Sequence, residues 1–369
     1  MKGVIKGSLI AMAGVMAAAA HAGITLQAMS SFGGGDGWLA PGEGGYGYLG
    51  TGSLERGLAY NKATGNLILV SRSTLGNGLR VINGTSGADT GFLNQGTGII
   101  AGGTFTTNMA AADDDGNIYV ANLQTNVTTG ALKVYKWAGE GAAAPTVFFN
   151  STIAGFTGTP RLGDSMDAMG DAANLRLAFG GSGVNGYAAI NAAATGSAVT
   201  GITGTNAGDF RLGITFGDTN TDVFGKQTGA NAGAAPLRYT AAGALMKSLT
   251  LTSGGEMAMD YAVIDGYKML ATVDANSSMV RLYEILGSGS GMTAVLRTSL
   301  TNTSGTLSAN GNAVGQVRWG AINGNKATLY AMSTNQGIQA FNVVVPEPST
   351  VAAMGLGIAA LLRKRMKKS

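Results

Sequence analysis

Cysteine is absent from the 369 residues. That excludes disulfides, thiolate metal centres, iron–sulfur ligation, c-type haem attachment and cysteine nucleophiles. Histidine occurs once, as His21, so the commonest general base and metal ligand is nearly missing too. Charged residues make up only 12% of the chain, and the body carries no Arg/Lys run. Nucleophile-elbow, P-loop, dinucleotide and histidine-based metal motifs are missing. The 61 glycines follow no Gly-x-y period, which excludes collagen. Helical periodicity is nearly absent between Gly23 and Val345. Together these absences weigh against an enzyme without excluding carboxylate chemistry.

What is present is most distinct at the two ends. Lys2 and Lys6 precede an apolar run, Leu9 to Ala20, and Ala20-His21-Ala22 fits a small-x-small cleavage site. Residues 1–22 therefore read as a signal helix removed by signal peptidase, with a mature start at Gly23. His21 leaves with it. At the other end Pro346-Glu347-Pro348-Ser349 is a stiff polar head, Val351 to Leu362 is small and apolar, and Arg363-Lys364-Arg365-Met366-Lys367-Lys368 is basic. Twelve residues of helix rise only about 18 Å against a hydrocarbon core of roughly 30 Å. Segment 351–362 reads as a short hydrophobic helix that serves as a temporary anchor, with the basic cluster on the cytoplasmic side.

Pro346-Glu347-Pro348, a short hydrophobic stretch and Arg363-Lys364-Arg365, in that order, resemble the PEP-CTERM sorting signal of Gram-negative bacteria. The resemblance implies export, a brief stay in the inner membrane, and processing by an exosortase. Proteins with this signal are usually associated with exopolysaccharide or biofilm, so the expected final site is the cell surface or extracellular matrix. The signal carries a route and no activity.

The processed ends also distort the charge. Seven of the 24 basic residues and one of the 20 acidic residues lie in them, leaving 17 against 19 in the body. The formal charge of +4 is thus a targeting feature and gives no support for nucleic-acid binding.

Residues 23–345 read as all-β. Short strands separated by Asn, Asp and Gly turns recur, and the second strand of each unit begins near residues 67, 117, 175, 222, 268 and 328. Units of this length with three or four strands each predict a β-propeller, six-bladed by this count. The long Ser288–Gly315 and Gly33–Gly52 stretches leave room for a seventh blade. Ile24 to Ser30 is placed beside Ile338–Val343 to close the ring. The turns Asn61–Leu67 and Asp113–Ile118 require Gly at positive φ. Leu54 to Arg72, LERGLAYNKATGNLILVSR, resembles uncharacterised propeller-like domains of exported bacterial proteins.

Candidate sites are few. Asp113, Asp115 and Asn117 offer oxygens for Ca²⁺ but lack the EF-hand spacing, so a hairpin turn is the competing reading. Asp164, Asp167 and Asp171 carry the same pair of readings. Arg56, Arg72, Arg161, Arg176, Arg211 and Arg318 would form a polar funnel for an anionic or sugar ligand if some face a channel with Asp167 or Asp260; otherwise they brace blade edges. Glu55, Glu256 and Asp260 are the carboxylates for an acid–base pair in glycoside cleavage, which requires about 5–9.5 Å between them. Trp38, Trp137 and Trp319 serve either as sugar platforms or as packing. The Gly33–Gly52 loop, with Trp38, Tyr46 and Tyr48, is either a binding lip or a cover over one end of the fold. The expected product is a non-enzymatic surface or matrix component that binds exopolysaccharide or another surface protein. The alternatives are a carboxylate-dependent polysaccharide hydrolase or lyase, and a self-assembling structural subunit.

Overall fold

The computed structural model describes residues 23–73, 78–219, 221–227, 231–236 and 247–347. The expected signal helix, the membrane segment 351–362 and the basic end lie outside these residues. The only helices among the described residues are three single 3₁₀ turns, Gly33–Gly35, Glu43–Gly45 and Gly289–Gly291. None is long and apolar enough to cross a membrane.

The remainder is strand. β1 (Thr25–Ala28) and β2 (Trp38–Leu39) precede β3 (Glu55–Asn61), β4 (Asn66–Ser71), β5 (Leu79–Asn83) and β6 (Asp89–Phe92), which form one sheet in sequential order. β7 (Phe105–Ala112), β8 (Ile118–Leu123), β9 (Leu132–Trp137) and β10 (Thr146–Ser151) form the next. β11 (Ser165–Met169), β12 (Arg176–Gly180), β13 (Gly186–Asn191) and β14 (Gly196–Thr200) form a third. A fourth comprises β15 (Gly213–Phe216), β16 (Asp222–Lys226), β17 (Asn231–Pro236) and β18 (Lys247–Thr250). A fifth comprises β19 (Glu256–Ile264), β20 (Tyr267–Asp274), β21 (Val280–Leu286) and β22 (Thr293–Leu300). The last sheet joins both ends of the chain: β23 (Gly315–Asn323), β24 (Lys326–Ser333) and β25 (Gly337–Val344) continue into β1, with Thr25 opposite Val344 and Ala28 opposite Phe341.

The architecture is all-β and propeller-like. The first strand of each sheet touches the first strand of the next, and β23 returns to β3, so the inner strands form a closed ring. Each seam between sheets is filled by its own apolar cluster. Ile68, Val70 and Leu79 of one sheet meet Val120, Tyr135 and Trp137 of the next, while Leu58, Leu67 and Ile82 meet Tyr330, Met332 and Ile338 across the closing seam. A single sheet cannot bury both of its faces; stacking on two neighbours does so.

The second strands begin at Asn66, Ile118, Arg176, Asp222, Tyr267 and Lys326, within two residues of the expected positions. The fourth unit's third strand is Asn231–Pro236. No seventh sheet is present among the described residues, because Thr293–Leu300 is the outer strand of the fifth sheet and the Gly33–Gly52 stretch lends only Trp38–Leu39, paired to β25. That stretch covers one end of a seam: Leu39, Tyr48 and Leu49 are buried there, and Trp38 Nε1 donates to the Gln336 carbonyl at 2.8 Å. It is a cover and not an open lip.

Inner strands approach too closely for side chains at some positions. A Cβ on Gly57 would stand 2.5 Å from the Ala110 nitrogen and 2.8 Å from Met109 Cα, both backbone atoms of the adjacent sheet. Gly65 and Gly116, in the two turns singled out by sequence, have φ of +75° and +82°, as those turns require. Gly57→Ala is expected to lower unfolding free energy by about 1–3 kcal/mol in urea titration, whereas Gly141→Ala, with nothing within 4 Å, leaves the midpoint unchanged.

Candidate functional site

The last residues of the six inner strands surround a polar cavity of about 220 Å³ at one mouth of the central channel. Its lining includes Tyr60, Asp167, Thr215, Asp260, Arg318 and Trp319. These strands belong to different sheets, so their polar groups near the axis have no ladder partner and must be satisfied otherwise. Side chains do this. Arg318, 6% exposed, donates from Nε to the Leu58 carbonyl at 2.9 Å and from Nη2 to the Met166 carbonyl at 2.8 Å and the Ala110 carbonyl at 3.3 Å. Its Nη1 donates to Asp167 Oδ1 at 3.1 Å.

From Asp167 the network passes to the other strands. Its Oδ2 accepts the Phe216 amide at 2.9 Å. Asp260 Oδ2 accepts the Trp319 amide at 2.7 Å, and its Oδ1 accepts the Tyr261 amide at 3.0 Å. The Thr215 hydroxyl lies 3.0 Å from Asp260 Oδ1 and 3.2 Å from the Phe216 carbonyl. The hydroxyl donates to Asp260 Oδ1 and accepts the Tyr261 amide at 3.3 Å.

Burial, and secondly the charge of Asp167, push Asp260 up to about 7, with the Arg318 guanidinium opposing. Burial also raises Asp167, against the pull of Arg318.

Of the expected arginines, Arg318 alone enters this cavity's lining. Arg56, Arg72, Arg161 and Arg211 gather at the opposite end of the inner strands, and Arg176 begins β12, the second strand of its sheet. There Arg161 pairs with Asp164 Oδ1, the Arg211 Nε stands 3.8 Å from Asp164 Oδ2, and Arg72 pairs with Asn108 and lies 3.3 Å over the Phe105 ring.

The three carboxylates expected for acid–base work have separate anchors. Glu55 accepts the Gly50 amide at 2.6 Å. Glu256 accepts the Ser253 amide at 2.7 Å and the Tyr283 hydroxyl at 3.0 Å, with Arg281 3.4 Å away. Asp260 belongs to the channel network just described. No hydrogen-bond partner is common to them, and Glu55 and Glu256 begin their strands whereas the cavity lies at the strand ends.

Asp113 sits in its hairpin turn with both oxygens occupied. Oδ1 accepts the Asp115 and Asn117 amides at 3.1 and 2.9 Å, and Oδ2 accepts Asn117 Nδ2 at 2.7 Å and the Tyr119 hydroxyl at 3.0 Å. Asp115 accepts the Ala172 amide of the neighbouring sheet at 3.0 Å. Asp164, Asp167 and Asp171 likewise face different partners, Asp171 closing its own turn on Asn174 at 2.8 Å. Among the described residues no group of three or more His, Asp or Glu side chains is placed to hold a metal. Trp38, Trp137 and Trp319 are all buried with their indole N–H groups donated to carbonyls, which makes them packing residues.

Sequence reasoning missed Thr215 and Gln316, whose Oε1 accepts from Arg318 Nη2 at 2.7 Å. The available signal was a polar residue inside an otherwise apolar inner strand, GITF and GQVRWG.

A carboxyl whose folded value lies above its unfolded one takes up a proton on folding. Below about pH 4 Asp260 is protonated in both states; between there and about 7 only the folded state holds the proton, so stability falls as pH rises, then levels off. Guanidinium titrations across pH 4–8 should show the wild type losing about 4 kcal/mol more than Asp260→Asn. Equal slopes for the two proteins would show that Asp260 does not take up this proton.

Comparison with known proteins gives the following. Residues 344–365 match the PEP-CTERM protein-sorting motif, which implies export, membrane-anchored processing and exosortase as a partner. No curated protein matches the sequence. An α-L-arabinofuranosidase of Fusarium graminearum with an iminosugar inhibitor is similar in structure, with a TM-score of 0.51 at 8% identity over 79% of this chain and 94% of that one. A gluconolactonase of Xanthomonas campestris aligns with a TM-score of 0.49 at 12% identity over 89% and 92%. A luciferin-regenerating enzyme aligns at 0.48 and 11% over 87% and 95%. At such identities the likeness concerns fold alone. Residues 46–280 match the family described as "Domain of unknown function (DUF4623)", and over that span the chain belongs to this family.

Proposed function

We propose that the protein is a non-enzymatic binding component of the cell surface or extracellular matrix, and that its ligand, a polysaccharide, enters the cavity bounded by Tyr60, Asp260 and Trp319. In this reading residues 1–22 are removed as a signal peptide, 23–345 form the binding domain, and 346–369 are the sorting signal, with 351–362 as a temporary anchor. The six sheets, each sealed to the next by its own cluster, are the six blades.

The observation that carries the reading is the state of the carboxylates at the cavity. Asp167 and Asp260 already accept backbone amides and face Arg318 or Thr215. Each carboxylate oxygen already holds at least one hydrogen bond, so the pair presents fixed polarity to a ligand. Glu55 and Glu256 are anchored elsewhere. A rigid polar cavity with tyrosines at its edge suits hydroxyl-rich ligands. Of the six exposed large apolar side chains among the described residues, Phe92, Val147 and Leu296 stand on outer strands of three different sheets and Val263 and Ile322 on two inner strands, a scatter that favours the self-assembly alternative less.

Glycan-array binding of the purified full chain, with and without Ca²⁺, tests this, together with an assay for released reducing ends. The expected outcome is binding to a subset of glycans, weakened about tenfold by Tyr60→Ala, with no reducing ends released. Turnover abolished by Asp260→Asn would overturn the proposal in favour of a hydrolase, and binding indifferent to Tyr60→Ala would remove the cavity from it.

A further inference from the structure

The channel's other end presents the opposite electrostatic situation. Arg56, at the start of β3, is 6% exposed, and among the described residues its Nε and Nη1 meet no acceptor. The Nε atoms of Arg72, Arg161 and Arg211 are likewise buried without a hydrogen bond. Among the described residues five donor nitrogens are therefore unsatisfied within one cluster, against one buried oxygen, Asp164 Oδ2, that also lacks a hydrogen bond. Their neighbours supply little negative charge. Asp164, 4% exposed, is shared between Arg161 and Arg211, and Glu55 is already held by backbone amides of Gly50 and Asn335. Asn108 contributes only a neutral oxygen to Arg72. Four guanidiniums thus face two carboxylates.

This arrangement is costly as it stands. A guanidinium does not lose its proton in proteins, so the charge remains. Burying it unpaired costs several kcal/mol, and Arg161 and Arg56 add repulsion to Arg72. The cavity end shows that the same fold can pair a buried arginine fully, since every donor nitrogen of Arg318 has an acceptor. An excess of fixed, hydrogen-bond-competent cations at a channel mouth is the condition for capturing an oxyanion. Access exists: the Arg161 and Arg211 side chains are 33% and 34% exposed, with Arg56 beneath them.

We propose that Arg56, Arg72, Arg161 and Arg211 form an oxyanion-binding site, which takes the carboxylate or sulfate group of a ligand entering from solvent. It is separate from the cavity at the other mouth and does not depend on what that cavity binds. The anion completes the missing acceptors, and Asn108 and Phe105 hold Arg72 in position for it.

Titration calorimetry and thermal melting of the full chain with three probes test this: an oligogalacturonate, a neutral galactose oligomer and sodium sulfate. The oligogalacturonate or sulfate is expected to bind and raise the melting temperature, with affinity falling as ionic strength rises; the neutral oligomer should do neither at this end. Arg72→Gln and the more exposed Arg211→Gln should each weaken anion binding at least about tenfold, while Tyr60→Ala leaves it unchanged. Binding of sulfate alone assigns a free anion, and binding of the oligomer alone assigns an acidic saccharide; either supports the site. Arg56→Met should melt no lower than wild type without anion, because it removes an unpaired buried charge, and should lose the anion-induced shift. Absence of binding by both anions, or equal binding in wild type, Arg72→Gln and Arg211→Gln, would overturn the proposal. A lower melting temperature for Arg56→Met would count against the unpaired state from which it was argued.

Discussion

The Arg318 guanidinium is the interaction on which the closed ring depends. Apolar seams hold the sheets face to face, but they cannot satisfy the polar backbone of six inner strands that belong to six separate sheets. Arg318 reaches carbonyls on β3, β7 and β11 and the carboxylate of Asp167. Asp167 takes the Phe216 amide of β15, Thr215 links β15 to Asp260 on β19, and Asp260 returns to the Trp319 amide on β23. Every inner strand is thereby joined to one hydrogen-bonded circuit about the axis. A buried ion pair alone is weak evidence for stability. Here its worth lies in satisfying backbone groups that would otherwise be orphaned at the axis.

The two mouths of the channel apply the same residue type in opposite ways. At the cavity, arginine, carboxylates and amides are matched, and the matching fixes the strand ends rigidly. At the far end arginines outnumber the carboxylates beside them. The fold can therefore spend its stability on a compensated mouth and keep an uncompensated one for a ligand, which is the usual relation between a rigid scaffold and a strained site.

Much of the fold was legible because it is written in short-range chemistry. The Asn61–Leu67 and Asp113–Ile118 turns announce hairpins, and the apolar second strands, such as LILV and IYVA, repeat at blade spacing. The outer strands were less visible: DTGF, GSAVT and KSLT are half-exposed and carry no apolar alternation. Pairing of Thr25–Ala28 with Phe341–Val344 was readable only once closure of a ring was assumed. The sorting motif at 344–365 was clear because three compositional blocks occur in fixed order. The sites were not legible, since they are made by long-range convergence. Asp167, Thr215, Asp260 and Arg318 come from four different sheets, and Arg56, Arg161 and Arg211 from β3 and from the segments that lead into β11 and β15. Residue types are visible in the chain, but not which end of the channel each occupies; Glu55, Glu256 and Asp260 look alike there, yet each has its own anchor.

Native-state hydrogen exchange of the full chain, read at single amides, tests the central circuit most directly. The Phe216 and Trp319 amides donate to buried carboxylates at 2.9 and 2.7 Å. If that circuit closes the ring, both exchange only through global unfolding, and their opening free energies equal the stability measured by denaturant. Exchange of either amide through a smaller, local opening, while the Val120 and Leu329 amides of the second strands remain protected, would contradict the account.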